Sequence, residues 1–145
     1  MREIKFRGRR PNGQWMYGAL IPAELSWWGV PSIADKTRRY EVDPETIGQF
    51  TGVYDSEEKP IFEGDVIRFP YRKREETGVV YYSSGMFRVK NNVYLREDDL
   101  FSVVFHKEIH VVGNIHDNPE LMKGEKNELH TTDSQNAGRR DRGEI

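Results

Sequence analysis

The amino-acid sequence predicts a mainly β fold, a small barrel or curled antiparallel meander of SH3-like or OB-like size with short helical turns. Apolar and polar residues alternate with a period of two along several segments, which is the pattern of half-buried strands. Turn-forming residues separate these segments at short intervals. Apolar residues nowhere keep a helical period beyond about two turns. Together these observations favour five or more short strands over a helical fold.

The first half of the chain begins with a predicted hairpin. It turns at Pro11-Asn12-Gly13, because an Asn-Gly pair supplies the positive φ angles of tight turns. Residues 22–40 contain two prolines and adjacent tryptophans, so they suit a long excursion better than a central strand. A short helical turn follows, in which Asp43 caps the exposed amides, Pro44 takes the first position and Gly48 ends the turn.

The second half is predicted to be a meander of strands and a short helix. The strand-like segments cover residues 49–55, 59–69, 77–90 and 100–115. Polar residues at 56–58 and Ser83-Ser84-Gly85 reverse the chain. In the last segment, alternation predicts two faces, one with Val103, Phe105, Ile109 and Val111 and the other with His106, Glu108 and His110. A C-terminal helix starts at Asn118-Pro119 and runs to about Lys123.

Asp65 is predicted to start a strand and not to take part in chemistry. Gly64 before it permits a turn or bulge, and a short acid at this place can accept hydrogen bonds from nearby amides. A catalytic acid would need a second titratable group, and Glu63 could approach only if the glycine folds the chain sharply.

Length and composition predict one domain at residues 1–124 and a polar, flexible tail at 125–145. The tail offers only Leu129, Ala137 and Ile145 as apolar residues, too few to offset the entropy of ordering its backbone. The absence of cysteine excludes disulfides and thiolate sites and fits a reducing compartment such as the cytoplasm. We see no membrane-spanning run and no signal peptide, so we expect no membrane association.

Trp27 and Trp28 are the predicted protein interface. They are adjacent in a segment predicted to be a loop, and two neighbouring tryptophans in a loop are rarely both buried by their own domain. We therefore expect them to contact a partner protein or a second copy of the chain.

Basic residues cluster in the sequence although the net charge is -2. If the fold gathers them on one face, they could bind the phosphates of a nucleic acid. The candidate phosphate contacts are Arg7, Arg9, Arg10, Arg72, Lys73 and Arg74. A further pair is present at Arg38 and Arg39. In a chain of otherwise balanced charge, solvated loops are the simpler interpretation.

The sequence contains no motif that predicts an enzyme, a cofactor or a metal site. His106, Glu108 and His110 lie close together, but the glutamate is one position too late for a zinc-protease helix. On a strand the two histidines would be about 13 Å apart, since alternate side chains are about 6.6 Å apart. A metal would also need a third ligand. We favour a wet strand face and expect no catalytic residue.

Several stretches resemble the YopX-like family of phage and prophage proteins. They are "MREIKFRG", "VDPETIGQFTGVYD", "IFEGDVIRF" and "VVGNIHDNPELM", in this order within residues 1–122. The chain departs from the family's Asn-Gly turn before Glu63-Gly64-Asp65, where it has "DSEEKP". The resemblance implies a small, mostly β protein encoded by a phage or prophage, with no established activity to carry over.

Three functions follow as hypotheses. The first is a non-catalytic accessory protein that binds another protein or itself through Trp27 and Trp28. The second is a nucleic-acid-binding module that uses the basic clusters. The third is a metal-dependent enzyme centred on His106, Glu108 and His110.

Overall fold

Six strands form the first of two antiparallel sheets in this computed structural model, which describes residues 1–91, 96–106 and 108–121. They are β1 (Phe6–Arg9), β2 (Trp15–Ile21), β3 (Ser32–Ala34), β4 (Arg39–Glu41), β5 (Gly48–Tyr54) and β6 (Pro60–Phe62). Their order across the sheet is β4-β3-β2-β1-β5-β6. Two short 3₁₀ helices, Ala23–Leu25 and Pro44–Thr46, lie in the connections.

The second sheet has five strands and carries the α-helix. The strands are β7 (Asp65–Tyr71), β8 (Arg74–Ser83), β9 (Met86–Asn91), β10 (Arg96–Asp99) and β11 (His110–Asn114), and the helix α1 (Leu100–His106) follows β10. The order across the sheet is β10-β9-β8-β7-β11. The helix contacts β9, β10 and β5, so it covers the end of this sheet that faces the first one.

These two sheets confirm the mainly β prediction. The strands of the described residues form two antiparallel sheets that do not close into a barrel, so the barrel form of the prediction is wrong. No helix among these residues is long and apolar enough to cross a membrane.

Local turn and cap signals are where the sequence predicts best. The first hairpin turns at Pro11-Asn12-Gly13, with Gly13 at a φ of 93°. The Asp43 side chain accepts a hydrogen bond from the Glu45 amide at 3.0 Å and so caps the second 3₁₀ helix. Ser84 and Gly85 both take positive φ angles between β8 and β9. All three features are confirmed.

Residues 22–40 hold more structure than the predicted excursion. A loop runs from Pro22 to Pro31, but β3 and β4 then form a hairpin in which Ile33 pairs with Tyr40. Ile33 is buried. The Asp35 side chain organises the turn, because its Oδ1 atom accepts hydrogen bonds from the Thr37 and Arg38 amides.

The predicted strand at 100–115 is wrong in its first half, because residues 100–106 are α-helical. The Asp99 carboxylate accepts a hydrogen bond from the Phe101 amide at 3.0 Å, in the manner of a helix N-cap. Val103 is buried while Phe105 is 74% exposed, so the two do not share a face. A helix of seven residues is too short for its period to stand out against alternation.

One apolar core lies against the second sheet and extends to the first. It consists of Ile61, Ile67, Phe69, Val80, Val89, Leu100, Val103 and Ile109. Ile61 belongs to β6 of the first sheet, so this residue joins the two sheets. Glu120 and Leu121 are helical after Pro119, as predicted. Residues 122 and 123 of the predicted helix and the predicted tail at 125–145 lie outside the described residues.

Candidate functional site

The loop between β2 and β3 presents three strongly exposed large apolar side chains. We call Leu25, Trp27 and Trp28 the tryptophan loop. Leu25 is 70%, Trp27 91% and Trp28 79% exposed. A patch of this kind usually marks a contact site with another molecule.

Local hydrogen bonds hold the backbone of the tryptophan loop. The Ser26 hydroxyl accepts a hydrogen bond from the Trp28 amide, and the Ser26 carbonyl accepts one from the Gly29 amide, both at 3.3 Å. Gly29 has a φ of 71°, which suits glycine and lets the chain turn back after the two indoles. The loop thus displays its aromatic side chains from an ordered turn.

The N-terminal basic cluster does not form one exposed surface. Arg7 is 5% exposed, and its Nη1 atom pairs with Asp65 Oδ1 at 2.8 Å. Its Nη2 atom donates to the Glu63 carbonyl at 3.2 Å, and the guanidinium lies 4.7 Å from the Trp15 ring centroid. The structure therefore corrects the proposed phosphate contact at Arg7, whose guanidinium is buried inside the protein.

Arg9 is held in a second polar network beside this pair. Its Nη1 atom pairs with Asp117 Oδ1 at 2.7 Å, and the Trp15 indole nitrogen donates to the other oxygen of Asp117 at 2.7 Å. Burial opposes ionisation of Asp117, but the bonds from Trp15, Arg9 and Asn114 outweigh it and lower the pKa of the carboxyl group. Arg9 is therefore largely occupied by a partner within the chain.

Arg10, by contrast, lies beside Arg38 and Arg39, the further pair of arginines in the sequence. Its guanidinium lies 4.9 Å from the Tyr40 ring centroid. Arg10, Arg38 and Arg39 line a common pocket of about 380 Å³ together with Pro11, Tyr40 and Glu41. We call it the arginine pocket. The sequence did not predict that these three arginines lie together, because they belong to two hairpins that are separate in sequence.

The basic cluster of Arg72, Lys73 and Arg74 lies apart from the N-terminal basic cluster. Arg72 and Lys73 form the exposed turn after β7, and Arg74 begins β8. Asp65, the partner of Arg7, stands at the start of β7. The seven residues of β7 place the turn about 20 Å from Asp65. The structure does not gather Arg7 with Arg72, Lys73 and Arg74.

The buried pair Arg7–Asp65 lies in a cleft of about 410 Å³ at the junction of the two sheets. Asp65 starts β7, as predicted, and its Oδ2 atom accepts a hydrogen bond from the Phe62 amide at 2.8 Å. Gly64 makes the turn before it with a φ of 91°. Burial raises the pKa of Asp65, and the charge of Arg7 and the Phe62 amide oppose this rise.

Three of the four stretches that resemble the family converge on this junction cleft. They supply Arg7, Asp65 and the turn after β11, in which Asn114 Oδ1 accepts hydrogen bonds from the His116 and Asp117 amides. The sequence analysis did not identify Asn114 and Asp117 as members of a polar cluster. The only sign of them in the sequence was that asparagine and aspartate are common in turns. Since the charged groups are paired with one another, this cluster is best explained as the connection between the sheets.

The histidine cluster does not form the wet strand face that alternation predicts. Glu108 Oε2 lies 3.2 Å from His110 Nε2, and Glu57 Oε1 lies 3.9 Å from His110 Nδ1. The side chain of His106 is not among those the structure describes. Over residues 1–91, 96–106 and 108–121 no group of three or more suitable side chains could hold a metal ion.

A second apolar surface borders a cleft of about 620 Å³ between β5 and the tip of the β8–β9 hairpin. Tyr82 is 54% and Phe101 63% exposed, and both line this cleft. The Phe101 and Phe105 rings stack with centroids 6.0 Å apart. We call this surface the aromatic cleft.

Comparison with known proteins gives a family and a fold. The family described as "YopX protein" matches residues 17–123, which include Asp65 and the turn after β11 but not Arg7. No curated protein sequence matches the chain. The crystal structure of protein EF1440 from Enterococcus faecalis is similar with a TM-score of 0.52 and 21% sequence identity, over 84% of this chain and 99% of that one. At this identity the likeness concerns the fold alone. Because the family match covers most of the length of this chain, the chain belongs to the YopX family.

Proposed function

We propose that this protein is a non-catalytic accessory protein of a phage or prophage that binds a partner protein in the bacterial cytoplasm through its tryptophan loop. The observation that carries the proposal is the exposure of Trp27 and Trp28, at 91% and 79%. Membership of the YopX family and the lack of cysteine support the phage and cytoplasmic setting.

The energetic argument rests on the area that the two indoles present. Two tryptophans that become fully buried remove about 400 Å² from water. At about 25 cal/mol per Å² this amounts to an upper bound of roughly 10 kcal/mol, which is of the same order as the free energy that association costs in lost freedom of motion. Tryptophan is also enriched among the residues that dominate binding energy at interfaces.

A second copy of the chain is the alternative partner. The aromatic cleft offers Tyr82, Phe87 and Phe101 around about 620 Å³ of space, which is large enough for indole side chains. If each copy placed its tryptophan loop in the cleft of the other, the contacts would be reciprocal, as in a two-fold dimer.

The test is the double change Trp27→Ser and Trp28→Ser, with Trp27→Phe and Trp28→Phe as the matched control that keeps most of the apolar area. We expect the serine variant to lose partner binding or change the molar mass measured by light scattering, while its melting temperature stays within about 2 °C of the unmodified protein. The phenylalanine variant should retain most of the interaction.

Affinity capture from lysogenic host cells, with and without nuclease treatment, identifies the partner class. Capture that depends on the two tryptophans and survives nuclease supports a protein partner. A fall in melting temperature with unchanged binding and unchanged molar mass would contradict the proposal and place the pair in the core.

A further inference from the structure

The arginine pocket is built by contacts between two hairpins that are distant in sequence. The Arg9 carbonyl accepts a hydrogen bond from the Asp43 amide at 2.8 Å. Gly8 approaches Val42 so closely that an added Cβ would lie 2.8 Å from a Val42 methyl group. These contacts bring the end of β4 beside the end of β1. Arg10 therefore stands over Tyr40, and the two hairpins share one concave surface.

Arg10 is held in place before any ligand binds. Its guanidinium lies 4.9 Å from the Tyr40 ring centroid, a cation–π contact. Its Nη1 atom donates to Gln14 Oε1 at 3.0 Å. An arginine has five N–H donors, and these two contacts leave most of them for a ligand. A side chain ordered in this way loses less entropy when it binds.

Arg38 and Arg39 are presented by the ordered β3–β4 turn. The Asp35 carboxylate accepts hydrogen bonds from the Arg38 amide at 3.0 Å and the Thr37 amide at 2.8 Å. Together with the Thr37 hydroxyl, these bonds lower the pKa of Asp35, so it stays ionised and keeps the turn closed. Both arginine side chains are exposed.

We propose that the arginine pocket binds phosphate groups of a single-stranded nucleic acid, an activity that goes beyond the proposed protein binding. The planar guanidinium matches two phosphate oxygens at once, and three such groups line about 380 Å³ of concave surface. Because Arg10, Arg38 and Arg39 all line this one pocket, a ligand that contacts all three carries several phosphate groups, as a nucleic-acid strand does.

Glu41 places a negative charge among the three arginines of the pocket. This negative charge opposes the binding of a phosphate there. Removal of this charge should tighten binding, whereas removal of an arginine should weaken it. General attraction of a polyanion to the whole protein would not depend on the place of the charge in this way.

The test is fluorescence anisotropy of a labelled oligothymidylate with the full chain over a range of salt concentrations. We expect Arg38→Gln with Arg39→Gln to lower the affinity about tenfold and to reduce the slope of log affinity against log salt by about 1.4, which corresponds to two lost phosphate contacts. Arg72→Gln with Lys73→Gln removes the same charge from an exposed turn outside the pocket and should change the affinity by less than about threefold. Glu41→Gln should raise it.

Competition with pyrophosphate separates the two sources of the phosphate group. Displacement of the oligonucleotide only by another nucleic acid supports a phosphate chain as the ligand. Displacement by pyrophosphate at equal phosphate concentration would overturn the nucleic-acid assignment in favour of a small phosphate compound. Equal losses in the two double variants, or no binding of either probe at low salt, would overturn the pocket itself.

Discussion

At the scale of single residues, the pair Arg7–Asp65 links the two sheets. Arg7 lies on β1 of the first sheet, and Asp65 begins β7 of the second. Their side chains are 6% and 3% exposed, so neither charge can be solvated by water if its partner is removed. A buried charge without its partner costs far more than the intact pair contributes.

We expect Asp65→Asn to lower the free energy of unfolding by about 3 kcal/mol, because it leaves the Arg7 charge buried without compensation. If the Asp65 side chain only accepted hydrogen bonds from nearby amides, as the sequence suggests, the effect would be nearly neutral, because asparagine keeps an acceptor oxygen. Chemical denaturation measures the change. The double variant Arg7→Met with Asp65→Asn serves as the control.

In that double variant both charges are gone. Its loss of unfolding free energy should therefore be smaller, by about 1 kcal/mol or more, than the sum of the losses in the single variants Arg7→Met and Asp65→Asn. Strict additivity would show that the two side chains do not act as a pair. An Asp65→Asn protein as stable as the unmodified one would contradict the burial argument directly.

At the scale of elements, the turn between β5 and β6 joins the first sheet to β11 of the second. Asp55 Oδ1 accepts hydrogen bonds from the Glu57 and Lys59 amides, and Oδ2 accepts one from the Val111 amide at 3.0 Å. The Ser56 hydroxyl accepts a bond from the Ile109 amide at 2.8 Å. Burial opposes ionisation of Asp55, but the three amides outweigh it and lower its pKa.

Asp55→Asn should therefore cost on the order of 2 kcal/mol of unfolding free energy at neutral pH, since hydrogen bonds to a charged acceptor are lost. Because the pKa of Asp55 is lower in the folded than in the unfolded protein, its contribution is complete above about pH 4 and is lost as the pH falls through the folded pKa. Denaturation curves at several pH values measure both effects.

Glu57→Gln is the matched control in the same turn, since the Glu57 side chain is 73% exposed. It should leave stability and its acid dependence almost unchanged. If Asp55→Asn and the unmodified protein lost stability in parallel on acidification, the Asp55 carboxylate would not be the group responsible.

Helix α1 shows why the type of a short element is hard to predict. Its seven residues include five apolar side chains in close succession, which fit alternation and a helical period almost equally well. The deciding features are the Asp99 cap and the packing of Leu100 and Val103 on the second sheet. Only the cap could have been found in the sequence, where Asp99 precedes the apolar run.

At the scale of the whole molecule, we expect deletion of residues 125–145 to leave the domain folded, because this segment has almost nothing apolar to bury. The melting temperature should change by less than about 2 °C. A chain ended instead after residue 114, which lacks the Asp117 carboxylate that binds Arg9 and Trp15, is the contrasting variant and should melt at a clearly lower temperature. A loss of several degrees on removal of 125–145 alone would show that the segment packs on the domain or on a neighbour.

Features that depend on a few neighbouring residues could be predicted from the sequence alone. These are the mainly β class, the turn at Asn12-Gly13, the cap at Asp43, the positive φ of Gly64 and the exposed tryptophan pair. Turns and caps follow from local backbone sterics and hydrogen bonding, so their chemistry is present in the residues themselves.

Which charges are buried and which of them share a surface could not be predicted, because both depend on tertiary contacts. Arg7, Arg9 and Arg10 are almost adjacent in sequence, yet Arg7 pairs with Asp65, Arg9 with Asp117, and Arg10 joins Arg38 and Arg39 at the arginine pocket. The physical reason is that burial and pairing depend on the distant strand that covers a side chain. The alternation of apolar and polar residues predicts which face of a strand a residue occupies, but it does not predict which other strand packs against that face.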